Sequence, residues 1–164
     1  MKKSELMKIR TTHVRPEWID HNNHLNVAYY VLIFDQSLDE LLDHIELTRP
    51  YRKESGNTVY VLETHVCYLQ EVKEGDLLEI YVRVVDCDEK RIHLFLEMYH
   101  EMDGYLAATS EQMILHIDSS GPKAAAMPKH IQDNLEKLKS EMAHLPASPH
   151  QSSRIGIRRK KVDA

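Results

Sequence analysis

The feature that most constrains the fold is a change of hydrophobic period near residue 56. From Val27 to Ile45 the apolar residues Val27, Tyr30, Val31, Phe34, Leu38, Leu41, Leu42 and Ile45 recur at three and four, with no Gly or Pro between them. That spacing predicts an amphipathic helix of about five turns, with Asp35, Gln36, Asp39, Glu40 and Asp43 on its solvent face. After a loop ending at Gly56 the period becomes two. Residues 58–69, 77–86, 91–102 and 105–117 are rich in Val, Ile, Leu, Tyr and Thr, and "KEGD", "DEK" and "DG" separate them. Asp103-Gly104 is a hairpin signal, because both residue types tolerate positive φ. Connections this tight join antiparallel neighbours and leave no room for parallel crossovers. With a first strand over 6–14, "LMKIRTTHV", the expected plan is α+β. One long helix follows strand one and packs on a face of a curled antiparallel meander.

The chain of 164 residues suits one domain with a sizeable core, expected over 1–118. "SSGPKAAAMP" reads as a linker into a short helix over 129–143, so 119–145 form a linker and C-terminal helix. Residues 146–164, with the basic cluster "RIGIRRKK", lack apolar periodicity and are expected to be a mobile tail. A formal charge of −5 argues against a general nucleic-acid binder. There is no apolar run of membrane-spanning length and no signal-peptide core, so the expected setting is cytoplasmic, without a membrane partner. Cys67 and Cys87 then read as reduced thiols.

Just before the long helix lies "EWIDHNNHLN", Glu17 to Asn26. Asp20, His21 and His24 could be metal ligands, but HxxH on a turn has no assured geometry and no further ligand motif accompanies it, so no metal is expected. Asn23 or Asn26 can cap the helix, and Asp20 suits the positive end of its dipole. A helix start also offers unpaired N–H groups to an oxyanion, and a carboxylate upstream of it can attack a carbonyl or activate water. With no GxSxG elbow and no nucleophile motif around either cysteine, any hydrolase reading rests on Asp20.

These residues resemble a family. "VRPEWIDHNNHLNVAYYVLIF" is similar to the start of a hotdog-fold thioesterase of the 4-hydroxybenzoyl-CoA thioesterase type, with Asp20, His24, Asn26, Tyr30 and Phe34 at its motif positions. The likeness continues through "YVLETHVCYLQEVKEGDLLEI", "KRIHLF" and "DGYLAATSEQMILHID", about residues 9–118. More narrowly, "WIDHNNHLN", "LETHVCYL" and "ATSEQM" resemble the betainyl-CoA thioesterases of carnitine degradation, some of them fused to carnitine dehydrogenase. One departure is Asn23, which stands where the family usually has Gly; Asn tolerates left-handed angles, so the turn survives with an extra side chain near the thioester.

The resemblance implies a hotdog fold, a long central helix wrapped by the curled sheet. It implies an acyl-CoA thioesterase working as a homodimer or higher homo-oligomer, with coenzyme A as part of the substrate and no cofactor. Asp20 would be the base or nucleophile, His24 and Asn26 would shape the turn or position water, and the amides of Asn26 and Val27 would hold the oxyanion. Tyr30 would line the acyl pocket, although its place on the apolar stripe makes core packing its default. A betainyl group needs aromatic faces, each worth ~0.5–2 kcal/mol, and Trp18 and Tyr60 are candidates with Tyr68 behind them. Glu63 and Glu111 are candidate carboxylates for the cation, though either can simply face solvent or pair with Lys or Arg. His65 and His93 read as ordinary strand histidines. The alternative to an enzyme is a non-catalytic hotdog that binds acyl-CoA or a protein partner.

Overall fold

The two periods become two layers in a computed structural model that describes residues 5–152 and 154–159. The helical period is α1 (Val27–His44). The strands are β1 (Met7–His13), β2 (Asn57–Tyr68), β3 (Leu77–Cys87), β4 (Arg91–His100), β5 (Leu106–Asp118) and a short β6 (Lys123–Ala124). Two further helices are α2 (Arg49–Ser55) and α3 (Lys129–Glu141). α2 occupies what the sequence reads as loop. Its cap is Thr48, whose hydroxyl accepts from Tyr51 N–H, and Gly56 ends it at φ 70°.

The sheet is antiparallel in the order β1-β3-β4-β5-β2, with β6 extending β5. Only β3, β4 and β5 form the expected meander. β2 pairs with β5, not with β3, from Asn57↔Asp118 to Tyr68↔Ala108. "KEGD" is therefore no hairpin turn. Residues 69–76 carry the chain across the end of the sheet, past the start of α1, where Val72 is fully buried and its carbonyl accepts from Leu25 N–H at 2.9 Å. β2 and β3, consecutive in the chain, sit on opposite sides of the β4–β5 pair.

The inner face of the sheet supplies Leu78, Ile80, Val82, Ile92, Leu94, Leu96 and Ile114 to one buried cluster with Ile33, Phe34, Leu38, Leu41 and Leu42 of α1. The stripe on α1 is rotated from the sequence reading. Ile33 is fully buried, whereas Val27 and Val31 are exposed at 59% and 44%. Ile131, Leu135 and Leu138 of α3 belong to the same cluster, so 119–145 is built into the domain.

The tail differs most from expectation. Its described part, 146–152 and 154–159, lies along the outer face of the sheet. Arg83 Nη1 donates to Pro146 O at 2.8 Å, and Arg159 makes two hydrogen bonds of 2.8 Å to Asp86. Ile155 is buried, and Ser152 N–H donates to Glu111 Oε2. The docking is by backbone polar groups and single side chains, which leave no apolar period to read. Lys160 to Ala164, also assigned to the tail, lie outside the described residues.

Candidate active site

The segment before α1 is a tight polar turn. Asp20 Oδ1 accepts from Asn22 N–H at 2.8 Å and from His24 N–H at 3.4 Å, while Asp20 N–H donates to His24 O at 2.9 Å. A short carboxylate that reaches its own backbone two residues on is what folds this loop. Asn23 takes the left-handed conformation, φ 62°, that the Gly of the resembling motif would occupy. Asn26 then caps α1, its Oδ1 accepting from Ala28 N–H at 3.0 Å.

The same bonds decide which charges and donors remain available. The Asn22 N–H at Asp20 holds its carboxyl below the usual carboxylate range, against a weaker opposing effect of desolvation, and His24 N–H adds to the lowering. Asp20 is therefore an anion at neutral pH, and among the described residues its Oδ2 takes no hydrogen bond. Of the two amides expected to hold an oxyanion, Asn26 N–H is already committed, donating to Trp18 O at 2.9 Å. Val27 N–H has no acceptor among the described residues. It stands at the first turn of α1, where unpaired amides and the helix dipole favour negative charge.

Asp20, Asn22, His24, Leu25, Val27, Tyr30, Tyr68, Leu69, Gln70 and Glu71 line one pocket of about 400 Å³. Tyr30 packs edge-on to Tyr68, centroids 5.3 Å apart, and burial pushes its phenol up to about 12, so it is neutral. Its hydroxyl donates to Gln70 O at 3.5 Å, and Tyr105 O–H donates to Glu71 O at 2.9 Å, so the 69–76 connection is tied down beside the helix start. His24 Nε2 lies 3.0 Å from Glu71 Oε2. Among the described residues no group of three or more His, Cys, Asp or Glu is placed to hold a metal.

The structure brings Asp20, His24, Val27 and Tyr30 together and places the other pocket candidates elsewhere. Trp18 is buried beneath the turn, stacked on Tyr29 at 5.6 Å with the Arg15 guanidinium over it. It anchors the turn through its carbonyl. Asn23 shapes the turn but is not among the residues lining the pocket. Tyr60 is exposed toward the far end of β2, about 27 Å along the strand from Tyr68 at ~3.4 Å per residue. Glu63 opens onto a separate cleft with Arg154 and Arg158. Glu111 is fully buried under the tail on the outer face, its Oε1 2.7 Å from His93 Nε2, which makes His93 part of that network. Glu71, Gln70 and Leu69 were not among the sequence candidates. They belong to an irregular connection, which has no period to mark a face.

Comparison with known proteins fits this geometry. The Thioesterase-like superfamily matches residues 14–135. A betainyl-CoA thioesterase of Pseudomonas aeruginosa is 35% identical over 94% of this chain and 97% of its own length. An L-carnitine dehydrogenase/betainyl-CoA thioesterase of Agrobacterium fabrum is 33% identical over 96% of the chain, which spans only 32% of that longer protein. Among solved structures, a hypothetical protein of Staphylococcus aureus in complex with CoA superposes with a TM-score of 0.85 at 29% identity, covering 93% of this chain and 97% of that one. A putative thioesterase of Pseudomonas putida gives 0.77 at 29% identity, covering 94% and 97%. With the curled antiparallel sheet around α1 and the match over most of its length, the chain belongs to the Thioesterase-like superfamily and is a hotdog-fold thioester hydrolase.

Proposed function

We propose that the protein hydrolyses short, polar acyl-CoA thioesters, with betainyl-CoA as the preferred substrate. The observation that carries the reading is the meeting, in one pocket, of the ionised Asp20 carboxylate with the unengaged Val27 amide at the positive end of α1. Asp20 takes a proton from water as the water oxygen bonds to the thioester carbonyl carbon. The oxyanion so formed accepts from Val27 N–H, and its collapse breaks the carbon–sulfur bond. The proton held by Asp20 passes to the leaving sulfur, giving the free acid and the thiol. In the nucleophilic variant Asp20 Oδ2 itself bonds to the carbonyl carbon, the carbon–sulfur bond breaks and the CoA thiolate leaves. Water then hydrolyses the mixed anhydride, giving the free acid, returning the Asp20 carboxylate and supplying the proton that the thiolate takes up. Coenzyme A enters as part of the substrate, and neither route requires a cofactor. The betainyl assignment draws on the Pseudomonas aeruginosa relative, and the CoA moiety on the Staphylococcus aureus complex.

The proposal includes a homodimer. β2 ends the sheet with twelve residues and an edge that is unpaired among the described residues, and Tyr60, Val61, Leu62, Tyr68 and Leu69 along it are exposed. Val27 lines the pocket beside Tyr68 and Leu69, so the apolar surface runs from strand to helix. Such an edge is normally covered, and a second copy paired along β2 covers it.

Thiol release from betainyl-CoA, acetyl-CoA and a longer uncharged acyl-CoA tests both levels of the reading. Wild-type turnover should favour the cationic ester, and Asp20→Asn should lower kcat by on the order of 10²–10⁴. Tight acyl-CoA binding without turnover of any ester would establish the non-catalytic binder instead.

A further inference from the structure

We infer that Glu71 and Tyr68 form the subsite for the cationic end of the acyl group; this rests on the cationic-acyl reading above. In a trimethylammonio-acetyl thioester one methylene separates nitrogen from the carbonyl carbon. The group that recognises the cation must therefore border the same pocket as Asp20. Glu63 and Glu111 do not. Glu71 does, on the connection that Tyr105 O–H ties at Glu71 O.

A second carboxylate beside Asp20 needs an explanation. It opposes the negative charge that builds on the carbonyl oxygen and repels the anionic CoA moiety. A substrate that carries its own positive charge to this point removes the conflict. Glu71 is suited to it: its side chain is 71% exposed, and its bond with His24 Nε2 at 3.0 Å orients one oxygen. A quaternary ammonium offers no N–H and is held by charge and by aromatic faces. Tyr68, half-exposed and braced edge-on by Tyr30 at 5.3 Å, supplies an aromatic wall. The Tyr30 phenol stays neutral and adds no competing charge.

The experiment compares betainyl-CoA with 3,3-dimethylbutyryl-CoA, which has the same shape with carbon in place of nitrogen. The readout is the ratio of the two kcat/KM values in the wild type, Glu71→Gln, Tyr68→Phe and Tyr68→Leu, each checked for folding by thermal melting. The inference expects the ratio to favour the cation in the wild type and to fall about tenfold in Glu71→Gln. It should also fall in Tyr68→Leu and hold in Tyr68→Phe. A preference that persists in Glu71→Gln and Tyr68→Leu overturns the inference and leaves the cationic substrate standing. So does an equal loss for both esters, which would make Glu71 a positioning residue for His24. Absence of any preference in the wild type removes the cationic substrate itself, and the inference with it.

Discussion

Asn23 and Asp20 show how much one turn carries. A left-handed backbone at φ 62° costs most residues about 1–2 kcal/mol and Gly almost nothing, with Asn between them. Asn23→Ala should therefore lower the unfolding free energy by about 1 kcal/mol, while Asn23→Gly should stay within a few tenths, as read from urea melts. Asp20 gives a pH prediction. Its Asn22 N–H partner depresses the carboxyl below the ordinary value of about 3.9. In the proposed mechanism the competent form is the anion, so activity should persist as pH falls to about 4 and be lost only below it. A profile of kcat/KM with an acid limb near pH 6 would assign the essential base to another group. At this scale the sequence was partly legible. The order of Asp, His and Asn ahead of an apolar helix marks the turn, because capping and left-handed angles depend on local residue types. It did not tell which amide stays free, since Asn26 N–H is taken by Trp18 O, a partner fixed by tertiary placement.

Among the elements, α1 and the β3–β4–β5 meander follow from hydrophobic period and turn chemistry, both of them local. The place of β2 does not. Its partner β5 lies forty or more residues away, and strand alternation names two faces without saying which is inner. Glu111 illustrates the consequence. It alternates onto the outer face, yet it is fully buried because the tail covers that face. Trp18 is the converse, an aromatic beside the Asp20 turn that is spent on packing. β2 itself carries a prediction. Leu62 sits at the bulge between Val61 and Glu63 and is 55% exposed on the unpaired edge. Leu62→Lys should convert the proposed dimer to monomer in light scattering with little loss of monomer stability, since edge lysines oppose strand pairing.

For the whole molecule, the outer face of the sheet is polar and yet sealed. Glu97 is 3% exposed there; burial pushes its carboxyl above the usual range, although Tyr99 O–H donates to it. A carboxyl whose pKa is raised on folding stabilises the native state below its unfolded value, near 4.3, and that contribution is lost as pH rises through the folded value. Glu97→Gln should thus raise the melting temperature at pH 8 by more than at pH 4. Removing residues 147–164 should expose Glu111, His93 and Phe95 and lower stability by about 2 kcal/mol or more, the range for buried polar groups stripped of partners. A truncated chain with an unchanged melt would show that the strap contributes nothing.

The crossover at 69–76 also sets the order of events in folding. The β3–β4 and β4–β5 hairpins close over short spans, whereas β2 reaches β5 only across the separation from Asn57 to Asp118. Loop-closure entropy defers such pairings, so β2 docks after the hairpins have formed. The wall that carries Tyr68 and Glu71 is laid down in that later step. During refolding, helical signal returns before esterolysis does, and catalytic competence reports the moment the sheet shuts around its helix.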